Sequence, residues 1–205
     1  MISIALPKGR LGSSVYARLA AIGYGCPGME DDNRKLIFED EEKGVRYILV
    51  KPSDVAVYVE HGAADVGIVG YDVLLETDPD VFELLDLNIG VCSVCVAAPV
   101  GFTDTKQAPL RVATKYPRTA KSHYAGKNRA IEIIPLHGSI ELAPIVGLSD
   151  VIVDIVETGT TLKENGLEVT ERIVGSSARF IANKSSYQFK RASIEKMLAG
   201  LEAET

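Results

Sequence analysis

Val151-Ile152-Val153-Asp154-Ile155-Val156-Glu157-Thr158-Gly159-Thr160-Thr161-Leu162 is the stretch that says most about this chain. An apolar, β-rich run carries an acid at Asp154. A second acid, Glu157, opens a turn of Thr and Gly, and a helix-like segment, Leu162 to Asn165, follows. Strand, tight turn and helix in that order are the building unit of α/β folds. The turn reads as an anion cradle: Gly159 lets the backbone bend without a Cβ clash. Successive N–H groups and three Thr hydroxyls face inward, and the helix N-terminus adds partial positive charge. A capped strand-to-helix turn is the plainer alternative, because Thr is a common helix cap. The apolar strand and the two acids favour the phosphate site. Carboxylates repel phosphate, so Asp154 and Glu157 call for ribose hydroxyls or a magnesium ion with its waters, and the whole reads as a sugar-phosphate site.

Outward from this loop, β-rich runs alternate with amphipathic stretches. The strands are expected at Ile2–Leu6, Leu36–Glu39, Tyr47–Lys51, Val66–Val69, Gly90–Ala97, Arg111–Ala113, Ile131–Pro135, Val151–Val156, Glu168–Val174 and Ala178–Asn183. Helices are expected at 12–22, 53–62, 71–77, 117–126, 139–147 and 186–201, the last presenting Phe189, Ala192, Ile194, Met197, Leu198 and Leu201 at helical spacing. The alternation predicts an α/β architecture with largely parallel sheets. The runs 87–99 and 168–184 are long enough to pass between two sheets. That predicts one lobe from 1–90 plus 183–205, a second from 91–182, and a cleft between them.

Composition narrows the class. The chain has 205 residues, 46% of them hydrophobic, with 22 Lys+Arg against 28 Asp+Glu and a net charge of −6. It can bury a core and is not disordered in general. A membrane span needs about 20 consecutive apolar residues. The nearest window, Gly90 to Phe102, is 13 residues long and broken by Ser93 and Pro99. A soluble, cytoplasmic chain is expected, since Lys8 and Arg10 follow the first apolar run where a secretory signal would put its cations first. Residues 30–43 hold seven acids and three bases, a solvated turn at a hairpin tip, which leaves the remainder at −2. No basic stripe points to nucleic acid. Cys92 and Cys95 form a C-x-x-C within a strand-like run, where residues three apart face opposite sides. They read as ordinary buried cysteines, like Cys26, rather than as a redox or zinc pair. His61, His123 and His137 show no metal spacing.

The turn at 154–162 resembles the phosphoribosyl pyrophosphate motif of phosphoribosyltransferases. Further segments narrow the likeness: Ala5-Leu6-Pro7-Lys8-Gly9-Arg10, Lys51-Pro52-Ser53-Asp54-Val55, Ala64-Asp65-Val66-Gly67-Ile68-Val69-Gly70-Tyr71-Asp72, Val112-Ala113-Thr114-Lys115-Tyr116-Pro117, Gly138-Ser139-Ile140-Glu141-Leu142-Ala143-Pro144, Gly147-Leu148-Ser149-Asp150 and Asn165-Gly166-Leu167. In this order, from about residue 3 to 184, the chain resembles the ATP phosphoribosyltransferases, the first enzymes of histidine biosynthesis.

The resemblance implies a two-lobed fold like the type II periplasmic binding proteins. It also implies the joining of N1 of ATP to the anomeric carbon of phosphoribosyl pyrophosphate, with magnesium carried by the substrate phosphates and no fixed protein ligands. Glu157, Thr158, Gly159, Thr160, Thr161 and Leu162 would hold the 5-phosphate and Asp154 the ribose hydroxyls, with Gly138, Ser139 and Glu141 lining the same pocket. Arg10, Arg34 and Lys51 would face the pyrophosphate or the phosphates of ATP. Lys8, Gly9, Arg10, Gly70, Asp72, Thr114, Tyr116 and Pro117 would hold ATP. Asp72 has a plainer reading as a cap of helix 71–77, Glu141 as a first-turn acid, and Arg34 and Lys51 as exposed charges. Two positions depart from the family pattern: His137 where relatives commonly carry Asn, and Lys51 where Arg is common, so that the bidentate fork is lost.

A chain that stops after one terminal helix resembles the short form. That form works as a dimer of catalytic chains, within a hetero-octamer that includes a regulatory subunit resembling histidyl-tRNA synthetase. Two rivals share many of these features. One is a phosphoribosyltransferase for another base, which would not need the triphosphate. The other is a binding module that closes on a phosphorylated ligand without reacting it, and such a module has little use for the Asp154/Glu157 pair opposite cations.

Overall fold

A computed structural model describes residues 1–29 and 34–203. In chain order the elements are β1 (Ile2–Pro7), α1 (Arg10–Leu19), β2 (Ile37–Asp40), β3 (Val45–Val50), α2 (Val55–Glu60), β4 (Val66–Gly70), α3 (Tyr71–Thr77) and β5 (Phe82–Asp86). Then come β6 (Cys92–Pro99), β7 (Leu110–Thr114), α4 (Pro117–Ala125), β8 (Ile131–Pro135), α5 (Leu142–Ile145), β9 (Val151–Val156), α6 (Thr160–Glu164) and β10 (Leu167–Ser176). The chain closes with β11 (Ala178–Ala182), α7 (Lys184–Phe189) and α8 (Arg191–Ala203). Two compact units result: Met1–Gly90 with Ser177–Thr205, and Val91–Ser176.

The first unit is a sheet of order β2-β3-β1-β4-β11-β5. β1 runs parallel to both β3 and β4 and is buried on both faces, so it reads as a continuous apolar run. Ile4 and Leu6 pack with Val15 and Leu19 of α1 and with Ile194, Met197 and Leu201 of α8. Ala5, on the other face, packs with Val55, Ala56 and Val59 of α2. Each of these Val, Leu, Ile and Met side chains contributes about 1.5–3 kcal/mol on burial. α1 approaches the end of β1 so closely that a Cβ on Gly12 would lie 1.7 Å from the carbonyl oxygen of Pro7.

The second unit is a sheet of order β10-β6-β9-β7-β8. β7 is parallel to β8 and β9, while β6 is antiparallel to β9 and β10. Val94, Val96, Val112 and Val153 pack under Ala120 and Tyr124 of α4. Ala97, Ala113 and Ile152 pack under Ala143 of α5 and Leu162 of α6.

Four expectations are corrected. The sheets are mixed rather than largely parallel, because β2, β5, β6, β10 and β11 all pair antiparallel. The return point is at 176/177 and not 182/183, since Ala178–Ala182 pairs with both β4 and β5. An additional strand, β5, comes from Phe-Glu-Leu-Leu-Asp, a run with weak strand propensity. Arg179 of β11 holds it through Glu83 at 3.0 Å and Asp86 at 3.1 Å. The terminal helix is two helices, broken at Lys190, and Phe189 is exposed rather than packed. The acidic hairpin tip falls at Glu41–Gly44, while Glu30, Asp31 and Asp32 lie outside the described residues.

Lys190 leaves the helix to serve a buried acid. Asp65 accepts hydrogen bonds from Ser3 N (2.8 Å), Ser186 Oγ (2.7 Å) and Lys190 Nζ (2.7 Å). Burial pushes its carboxyl up, but these donors together hold it below the usual carboxylate range. A depressed folded-state value gives stability that is present above the ordinary value of 3.8 and lost as pH falls through the folded one. Asp65→Asn is therefore expected to lower stability at pH 7 by about 1.5–3 kcal/mol. In urea titrations its deficit against the wild type should narrow as pH falls below 3.8.

Candidate functional site

In each unit the parallel strands end on one edge, and the expected site residues gather there. In the first unit Lys8, Gly9 and Arg10 follow β1, Lys51 follows β3, and Gly70 ends β4, three neighbouring parallel strands. β2 enters from the same edge, with Leu49 N bonded to Leu36 O at 2.8 Å, so Arg34 arrives beside the end of β3. Lys8, Arg10, Arg34 and Lys51 are all exposed, a row of four cations along one edge. Gly9 turns the chain into α1 with φ +94°, a conformation that L side chains rarely adopt. Asp72 is different. It is buried at 8% exposure, and its Oδ1 lies 2.3 Å from where a Cβ on Gly70 would be. It is an acid in the first turn of α3, whose N-cap residue is Gly70, and so it is not the cap that the plainer reading expects.

In the second unit β9, β7 and β8 end together. Asp154 in β9 has a side chain only 13% exposed, paired with Lys115 Nζ at 3.0 Å and accepting a hydrogen bond from Ile155 N at 2.8 Å. Burial pushes its carboxyl above the usual range. Lys115 and the Ile155 N–H pull part of the way back, and nearby Glu141 adds to the rise. Gly138 and Ser139 are exposed just past β8, Ser139 in the left-handed region at φ +48°, and Glu141 leads into α5.

The loop after β9 is built as a cradle. Gly159 takes φ +75°, Thr158 Oγ1 and Thr160 Oγ1 meet at 3.0 Å, and Glu157, Thr158, Thr160 and Thr161 are exposed. Leu162 is buried in the core with Ala143 and Ile152, so its side chain anchors the loop. α6 has only five residues, too short for the helix-dipole contribution that the sequence suggested, which leaves N–H groups and hydroxyls as the donors of this loop. A cavity of about 290 Å³ opens beside the loop, lined by Ser93, Cys95, Glu157, Thr158, Gly159 and Arg172 among others. Cys26 and Cys95 are buried and Cys92 half-buried, and none of the three forms a disulfide; burial pushes the Cys95 thiol up, away from reactivity.

A family model described as HisG: ATP phosphoribosyltransferase matches residues 51–203. The chain is 55% identical over 203 residues to the ATP phosphoribosyltransferase of Brachyspira hyodysenteriae, with 98% of each chain covered. It is 49% identical over 201 residues to that of Bacillus subtilis, with 98% of this chain and 94% of the relative covered. The chain belongs to the ATP phosphoribosyltransferase family. Its structure is similar to an ATP phosphoribosyl transferase (HisG:HisZ) complex from Thermotoga maritima, with TM-score 0.88, 36% identity, and 99% of this chain and 97% of that chain covered. It also resembles the periplasmic aliphatic sulphonate binding protein SsuA of Escherichia coli, with TM-score 0.64, 11% identity, and coverage of 98% and 70%. That second likeness concerns the fold alone and bears out the expected two-lobed, periplasmic-binding-protein type II-like architecture.

For a member of the ATP phosphoribosyltransferase family, one expected group needs correction. Thr114 and Tyr116 were assigned to ATP, yet Thr114 is fully buried and Tyr116 is 5% exposed. Thr114 Oγ1 donates to Val153 O at 2.6 Å and accepts from Tyr116 N at 2.8 Å, which staples β7 to β9. With Pro117 starting α4, the turn braces the second unit and brings Lys115 to Asp154. Spacing along the sequence gave no signal of that pair, because its members are 39 residues apart and meet only through parallel strand pairing. Thr114→Val is expected to cost about 1–3 kcal/mol of stability. Urea unfolding should show that loss while the KM for ATP stays within about twofold at temperatures where the variant is folded, a difference below roughly 0.4 kcal/mol.

Proposed function

We propose that this chain joins N1 of ATP to the anomeric carbon of 5-phosphoribosyl 1-pyrophosphate, giving N1-(5-phosphoribosyl)-ATP and pyrophosphate, the first step of L-histidine biosynthesis. Family membership over nearly the whole chain supports the reaction. The observation that carries the site is the exposed Glu157–Thr161 cradle next to a paired, nearly buried Asp154.

The bond from the anomeric carbon to the pyrophosphate oxygen breaks and the bond to N1 forms. Positive charge builds on the ribose and negative charge on the leaving group, so no covalent nucleophile is required. Backbone N–H groups and the Thr158, Thr160 and Thr161 hydroxyls take the 5-phosphate, and Gly138 and Ser139 line the same edge. Asp154 accepts from the ribose hydroxyls and stabilises the charge growing on the ring. Lys8, Arg10, Arg34 and Lys51 take the phosphates of ATP and the departing pyrophosphate. Positioning two such substrates can supply about 7–11 kcal/mol of the barrier.

Bound to the substrate phosphates, magnesium would supply charge neutralisation of the pyrophosphate. Among the described residues no cluster of three or more His, Cys, Asp or Glu side chains is arranged to hold a metal, and Oδ1 of Asp154 is already taken by Lys115. Exposed Glu157 would accept hydrogen bonds from the waters of an ion held by substrate oxygens.

The solved relative from Thermotoga maritima is a HisG:HisZ complex, which supports a hetero-oligomer here: dimers of this chain in a hetero-octamer with a regulatory subunit resembling histidyl-tRNA synthetase. No helix among the described residues is long and apolar enough to cross a membrane. We assign the chain to the cytoplasm, with its substrates ATP and phosphoribosyl pyrophosphate.

The deciding experiment incubates the chain with ATP, phosphoribosyl pyrophosphate, magnesium and pyrophosphatase, with adenine or AMP in parallel tubes, and reads products by mass spectrometry. A phosphoribosyl adduct of ATP alone is expected. An adduct of adenine would favour the other-base transferase. Silence that persists after a regulatory subunit is added would favour a binding module. Two variants test the site. Thr161→Ala removes a phosphate donor and should weaken phosphoribosyl pyrophosphate by about tenfold to a hundredfold in calorimetry, with ATP unchanged. Asp154→Asn should bind the donor but lower kcat by a similar factor.

A further inference from the structure

We propose that Lys115 is a positioning residue for phosphoribosyl transfer: it claims Oδ1 of Asp154 and so presents Oδ2 to the ribose hydroxyls of the donor. The inference rests on the role given to Asp154 above and goes beyond it, since it assigns the lysine of the β7–α4 turn to the positioning of that acid for the donor's ribose.

The placement follows from the fold. β7 and β9 are parallel neighbours with Thr114 opposite Val153, so the next residues along each strand, Lys115 and Asp154, stand side by side. Two donors fall on the same carboxylate oxygen: Lys115 Nζ at 3.0 Å and Ile155 N at 2.8 Å both address Oδ1. A carboxylate engaged at one oxygen by a charged donor and a rigid backbone donor has its plane fixed, while its other oxygen keeps its lone pairs. The lysine is itself held. Its ammonium lies 5.3 Å from the centroid of Tyr116, a ring that is 5% exposed and cannot move aside cheaply. Thr114, the residue before it, is pinned to Val153 O.

The charge of the pair matters as much as its geometry. Ribose hydroxyls need an acceptor, and a protonated acid would present a donor in its place. Asp154 is faced from three directions by ionisable groups: Lys115 from the turn after β7, Glu141 from the segment leading into α5, and Cys95 from β6, its register partner. The Cys95 thiol is pushed up by burial and is neutral. Burial and Glu141 both favour the neutral acid, and Lys115 is the cation that opposes them. Without it the carboxylate would be lost at a higher pH, and the deficit would grow as pH falls.

The test uses the full chain in the assay above, with Lys115→Gln, Lys115→Arg and Asp154→Asn compared with wild type from acid to alkaline pH. Lys115→Gln should raise the KM for phosphoribosyl pyrophosphate by about tenfold at the acid end for each pKa unit that Asp154 gains. Relative to wild type the effect should shrink toward alkaline pH. The KM for ATP should hold within about twofold, a difference below roughly 0.4 kcal/mol, and Lys115→Arg should restore most of the loss. Where Gln does not fold, Lys115→Met carries the same comparison. A loss equal at all pH values, a loss shared equally with ATP, or no loss would overturn the proposal. Asp154→Asn separates the two levels. If it leaves turnover intact, the reading of Asp154 itself falls. If it slows turnover while Lys115→Gln is silent, only the role of Lys115 falls.

Discussion

Each unit is organised around three adjacent parallel strands, β3-β1-β4 and β8-β7-β9, of which the middle ones, β1 and β7, are covered on both faces. A strand covered on both faces has no room for polar side chains, because an unpaired polar group there costs several kcal/mol. Chemistry is therefore displaced to the strand ends, and parallel strands all end on the same side. Residues as distant in sequence as Lys8, Lys51 and Gly70, or Thr114, Gly138 and Asp154, become neighbours along one edge for this reason alone. The placement of ligands outside the carboxyl ends of such strands is the general rule for open α/β sheets.

The two edges carry opposite electrostatic characters. The first presents exposed cations, of which Lys8 and Lys51 make no ion pair among the described residues. The second presents hydroxyls, backbone donors and a carboxylate with little solvent exposure. Cations suit an anionic leaving group, and a carboxylate suits a ribose that gains positive charge. Asp154 is the costly element of the second edge, since a nearly buried carboxylate is unfavourable unless paired.

Much of this was legible in the residues. Each of the ten strands expected from apolar patterning is present, and β1, β4 and β9 were the plainest because parallel strands covered on both faces read as apolar runs. The Gly159 turn was legible because only glycine readily takes φ +75°. What escaped was decided by tertiary contacts. β5 is a strand because Arg179 pairs with Glu83 and Asp86, and helix 186–201 breaks because Lys190 is drawn to Asp65. Thr114 and Tyr116 belong to a motif of the family, but the motif did not say which way their side chains point. Both turn inward, and Lys115 between them turns to the acid.

The order of strands has a consequence for how the molecule is made. β11 lies between β4 and β5, so β5 has no partner in the sheet until residues 178–182 emerge from the ribosome. The second unit is one continuous segment, Val91–Ser176, and all its strands are available before that point. Synthesis from the N-terminus thus delivers a complete inserted unit while the first is still open. The last strand to appear is also the one that seals the older half of the protein. Until then the facing edges of β4 and β5 stay uncovered, and unpaired edges of that kind invite association with other chains.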